Sequence, residues 1–286
     1  MEPTPERFVR LARSSPWRWR TLALIVHDGW THAPCRARLR RPDGIRIETL
    51  DGTLVHAGRQ TPNTGVLLYA VDRTSGVAAP SASPSRVVPT WPHEVPPVLD
   101  DEGLVITRPS SIEVHYEEPF FQNYRWVAML DPAELADGTA RTDEGETVAG
   151  TVVDEVRAVE HRGRAAWEAV VRPTDAYDPR CTCCALMRNA QTDADEGLPD
   201  GAETTPGYVY AEAHRMTLDV ATGVCVHSEE IGGSQPGSGH EVAIEAVDVE
   251  MGDELFTSPR RTRTRPRSSG APSGWGALSD LDTDEP

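Results

Sequence analysis

"VVDEVRAVEHRGRAAWEAVVRP", residues 152–173, decides how this chain is read. Apolar and polar residues alternate on both sides of Arg162-Gly163, and a period of two puts every second side chain on one face of a strand. A glycine between two such runs marks the turn of a hairpin. Downstream, "YVYAEAHRMTLDVATGVCVHSEEI", residues 208–231, supplies two more alternating runs around "DVATG". "EVAIEAVDVEMGDELF", residues 241–256, closes this meander.

The same pattern extends toward the N-terminus. "WRWRTLALIVHDGW" (17–30) and "CRARLRR" (35–41) read as half-buried strands, the second with Cys35, Ala37 and Leu39 opposite Arg36, Arg38 and Arg40. "GIRIETLDGTLVHAG" (44–58) turns at Asp51-Gly52, a strong hairpin signal, and "GVLLYAVD" (65–72) adds a further strand. This first meander carries arginine on its outer face. It is preceded by "TPERFVRLARSS" (4–15), where Thr4 caps a short helix, Pro5 takes its first position, and Phe8, Val9, Leu11 and Ala12 form one stripe.

The middle of the chain is less regular. Six prolines between Pro80 and Pro97 predict a crossing loop rather than a strand. "SIEVHYEE" (111–118) reads as a strand, and "PFFQNYRWVAMLDPAELADG" (119–138) as helical turns interrupted at Asp131-Pro132. Phe120, Phe121, Tyr124 and Trp126 are expected to cover one mouth of the sheet. The acidic stretch 189–207 reads as a loop, and 257–286, arginine-rich and then acidic, as a disordered tail. Residues 1–256 are therefore expected to form one domain.

Composition excludes several chemistries. The 28 basic residues are all arginine, so no P-loop, Schiff-base or serine-lysine chemistry can use a lysine of this chain. The net charge is -17. Residues 1–50 carry +5 and residues 51–256 carry -23, an acidic body that disfavours nucleic acid as a partner. The apolar run "LALIV" (22–26) is too short for a secretory signal, and no stretch approaches a membrane span, so a cytoplasmic location with reduced thiols is expected. "HEVPP" (93–97) begins like a zinc-protease motif but has Pro97 where the second histidine belongs.

"DEVRAVEHRGRAAWEAVVRP", followed by "AHRMTLDVATGVCVHSEEI" and "AIEAVDVEMGDELF", resembles the LolA/RseB/LppX-like superfamily of lipoprotein carriers and related sensors, in an actinobacterial branch. The earlier "RPDGIRIETLDGTLV" is similar to that superfamily's first-half hairpin. The resemblance implies an α+β fold: a strongly curved antiparallel sheet, or half-barrel, with a few short helices closing the concave face. It also implies a hollow that takes acyl chains or partner peptides. It brings no catalytic residue with it.

"YDPRCTCCALM", residues 177–187, concentrates three of the five cysteines. In an extended strand Cys181 and Cys183 share one face and Cys184 the other, while Cys225 and His227 share a face on a later strand. Cys181, Cys183, Cys225 and His227 would together offer three thiolates and an imidazole to a structural zinc ion. Read without metal, the same residues make a buried corner. Arg180 is expected either to favour the thiolates or to pair with Asp175 or Asp178.

The expected function is thus a non-catalytic binding module that holds an apolar small molecule, lipid or partner segment in the concave face. The alternative is a regulatory or structural scaffold, with a zinc-stabilised cysteine corner and a protein partner bound through the arginine-rich first meander or the tail. Nothing in the sequence points to an enzyme.

Overall fold

The computed structural model describes residues 2–28, 33–60, 66–68, 85–87, 90–111, 113–138, 148–197 and 207–258. Helix α1 spans Pro5–Ser14, with Thr4 Oγ1 accepting from the Arg7 backbone N–H at 3.2 Å. That bond satisfies one of the donors a helix leaves open at its start. Phe8, Leu11 and Ala12 are fully buried, so the apolar stripe is the docking face.

The first meander forms as its alternation predicts: β1 (Thr21–Asp28), β2 (Cys35–Arg40), β3 (Gly44–Thr49) and β4 (Leu54–Arg59). Leu39 lies opposite Ile45 and Ala37 opposite Ile47, all four fully buried. Each leucine or isoleucine side chain removed from water contributes on the order of 1.5–3 kcal/mol, and the Ala37 methyl less. Two short ribbons follow: β5 (Val66–Leu68) with β6 (Ser85–Val87), and β7 (Val98–Leu99) with β8 (Val105–Thr107). After helix α2 (Arg125–Leu130) come β9 (Thr151–His161) and β10 (Arg164–Pro173). Their turn holds Arg162 at φ 50° and Gly163 at φ 80°, the two left-handed positions that a tight hairpin requires.

Helix α3 (Ala190–Asp195) precedes β11 (Ala213–Asp219), β12 (Cys225–Ile231) and β13 (Gly239–Val247). The two meanders then join, because β13 pairs with β1. The result is one nine-stranded antiparallel sheet in the order β4-β3-β2-β1-β13-β12-β11-β10-β9. On its inner face Leu24 lies between Ala37 and Ile244, and Met216 and Leu218 continue the apolar surface. Helix α1 packs against β9, β10 and β11, and α2 against β12, closing the same core.

Three stretches differ from the sequence reading. Ser85–Val87, inside the proline-rich segment, pairs as a strand with β5, while residues 69–84 lie outside the described ones. Residues 113–118 form no strand beyond a single bridge from Val114 to Thr90. Their alternation has another cause: Tyr116 and Glu118 are drawn inward by polar partners described below. In the acidic segment, residues 190–195 are helical because Asn189 and Thr192 cap each other reciprocally, each backbone N–H donating 3.0 Å to the other's side chain. Residues 198–206, and the expected tail beyond 258, lie outside the described residues.

The arginines of the first meander are not a free basic surface. Arg36 pairs with Glu245, Arg38 and Arg46 with Glu48, and Arg40 with Asp253. Such pairs, largely at the surface, contribute little to stability. Arg38 with Arg46, and Arg40 with Arg59, each share a single carboxylate, so the pairs offset only part of this face's positive charge.

Candidate functional site

Three neighbouring features sit on the helix-covered side of the sheet. The first is an apolar pocket of about 450 Å³, walled by Val26, Cys35, Ile47, Val55, Phe121 and Trp126. Strands β1–β4 supply its floor through their inward positions. Phe121 meets Trp126 edge to face, with centroids 6.3 Å apart, and lies 6.0 Å from the His56 ring. The segment is held there by Gln60, just past β4, whose amide exchanges two hydrogen bonds with the Phe120 backbone. Of the aromatic group named from the sequence, Phe121 and Trp126 thus line this pocket.

The second feature is a set of buried ion pairs beside a cleft of about 640 Å³. Asp131, fully buried, accepts two bonds from Arg108, at 2.9 and 2.7 Å, and one from Arg180. Glu118 accepts from Arg41 Nε with both oxygens at 2.9 Å, and Arg41 donates onward to the carbonyls of Ser15 and Trp19 at 2.9 Å. Burial pushes the Glu118 carboxyl up, against the pull of Arg41. Burial likewise raises Glu134, which accepts from the Tyr177 hydroxyl at 2.5 Å, from Leu186 N at 2.8 Å and from Arg180 N at 3.2 Å.

These bonds fix the "YDPR" corner. Arg180 turns to Asp131 and to the Tyr116 carbonyl, not to Asp175 or Asp178, because only the deeper carboxylate needs a buried cation. Sequence reasoning missed this cluster. Its partners lie 23 to 77 residues apart, and no local pattern links them.

The third feature is the cysteine group. Cys181, Cys183 and Cys184 place their sulfurs within 4.8 Å of one another, with Cys181–Cys183 at 3.1 Å and Cys183–Cys184 at 3.5 Å. The expected separation of Cys184 assumed an extended chain. Thr182–Cys184 instead form a single 3-10 turn, closed by Cys184 N to Cys181 O at 3.1 Å, which brings all three thiols to one side. The hydrogen bond to Cys181 and partial burial push the Cys183 thiol up to about 12.

Cys225 and His227 do not join this group. The pairing of β12 with β11 slips between Thr217/His227 and Leu218/Cys225, so Val226 is an extra residue in the strand. A bulge of this kind breaks the alternation. Cys225 therefore faces the core beside Leu218, its thiol raised to about 12 by burial. His227 faces the opposite, charged side, 6.2 Å from the His161 ring. The four residues proposed together from the sequence are thus split: Cys181 and Cys183 meet, and Cys184 replaces the other two.

Further along the inner face, Arg125 donates to the Ala185 carbonyl at 2.6 Å and to Ser228 Oγ at 3.1 Å, and Ser228 bonds His240 Nδ1 at 2.8 Å. His214 is buried nearby with no hydrogen bond at either ring nitrogen. Burial, aided by Arg125, lowers it to about 4. The unfolded chain, with an ordinary histidine near 6.5, binds this proton first. Stability is therefore full above about pH 6.5 and falls by about 3 kcal/mol as pH drops toward 4. Urea unfolding across this range should show the loss, and His214→Leu should reduce it; an equal loss in the variant would rule His214 out.

Comparison with protein families, curated proteins and solved structures finds no match. Among the described residues, no helix is long and apolar enough to cross a membrane.

Proposed function

We propose that the protein is a non-catalytic binding module of the LolA-like kind, taking an apolar ligand of acyl type in the pocket under Phe121 and Trp126. The observation that carries this reading is the pocket itself: about 450 Å³, with walls that are mostly aliphatic or aromatic. Its size falls within the range typical of small-molecule sites. Asp51, Thr49 and Gln122 supply polar groups at its lining, as expected where a ligand's head group leaves an apolar hollow.

The half-barrel form belongs to the same proposal. It is supported by α1 and α2 packing on one face of the sheet while ion pairs occupy the other. A cytoplasmic setting fits five cysteines with no disulfide among them.

Val55 lies on the pocket wall and is 51% exposed, so Val55→Arg should obstruct the pocket without opening the core. Uptake of a fatty acid by the delipidated protein should be lost in this variant at unchanged thermal stability. Equal uptake would place the ligand elsewhere.

A further inference from the structure

We propose that Cys181, Cys183 and Cys184 form a three-sulfur site for one thiophilic metal ion, with no fourth ligand among the described residues. The sulfurs already surround a point. A metal–sulfur bond of about 2.3 Å in a tetrahedral site sets neighbouring sulfurs about 3.8 Å apart. The observed separations, from 3.1 Å to at most 4.8 Å, bracket that value.

The turn that gathers them is held from both sides. Before it, Tyr177 bonds Glu134 and Arg180 bonds Asp131. After it, the Ala185 carbonyl accepts from Arg125 and the Leu186 N–H donates to Glu134, while within it Thr182 bonds Glu196 at the end of α3. A site anchored this way keeps its donors in place before the ion arrives.

As thiols the three groups crowd one another. Binding an ion releases their protons and offsets the mutual repulsion of the thiolates. Among the described residues no imidazole or carboxylate completes the set, and Cys183 is exposed, so a fourth position would open to solvent. Three soft donors suit trigonal copper(I), or zinc(II) carrying one water.

The test uses the full chain, reduced and oxygen-free, incubated separately with zinc(II) and copper(I) and examined by native mass spectrometry. One ion per chain is expected, lost in Cys183→Ser and in Cys184→Ser but kept in His227→Gln. Copper alone would assign the trigonal form, and zinc alone the form with an open position. Failure to retain either ion would overturn the proposal, as would retention by both cysteine variants.

Discussion

Asp131→Ala is expected to lower folding stability by about 3–5 kcal/mol, the cost of leaving buried cations without their anion. Asp131 is fully buried at the end of α2 and accepts from both Arg108 and Arg180. Arg108 packs its guanidinium 3.9 Å over the Tyr116 ring, so it cannot swing out without breaking that contact. Arg180 carries the cysteine corner, and its release should make residues 177–187 more mobile. Urea unfolding of the variant gives the first quantity, and amide exchange across the corner gives the second. A loss below about 1 kcal/mol would mean the pair behaves as an exposed one.

Trp19→Ala should cost a comparable amount, about 3–5 kcal/mol, as large-to-small changes at buried aromatic sites do. Trp19 is 2% exposed, and its indole N–H donates to Ser15 Oγ at 3.1 Å. Arg41 stacks 3.3 Å above its ring on the way to Glu118. The substitution therefore opens a cavity and removes the platform under a buried cation. Trp19→Phe keeps an aromatic face and should lose less than half as much in chemical unfolding. Equal losses would show that the indole hydrogen bond, not the packing, dominates.

These two sites mark where sequence reading ends. Alternation around Arg162-Gly163 and Asp51-Gly52 was enough to find β3, β4, β9 and β10, because both the period and the turn are local properties. The Thr4-Pro5 start of α1 was legible for the same reason. The union of β1 with β13 was not, since it depends on contacts more than 200 residues apart. The alternation of 111–118 misled because side chains bound into the Arg41 and Arg108 pairs imitate the pattern of a strand. The cap of α3 was present as Asn189 and Thr192 but hidden in a polar, acidic stretch.

The candidate site was legible in part. Three cysteines within four positions announced themselves, and so did the aromatics at 120–126. Their geometry did not, because one extra residue at Val226 turns Cys225 and His227 to opposite faces, and one 3-10 turn gathers Cys184 with its neighbours. Each is a local departure from the strand period, and composition carries no trace of it. The inner walls of the pocket read simply as core, since Val26 and Ile47 have the same alternation whether a ligand or another side chain covers them.

The most direct measurement is native mass spectrometry of the delipidated full chain mixed with a long-chain fatty acid, beside Val55→Arg. Ligand binding under Phe121 and Trp126 predicts one fatty acid per wild-type chain and none in the variant. A wild-type chain that stays ligand-free at saturating fatty acid, or a variant that binds as well, would contradict it.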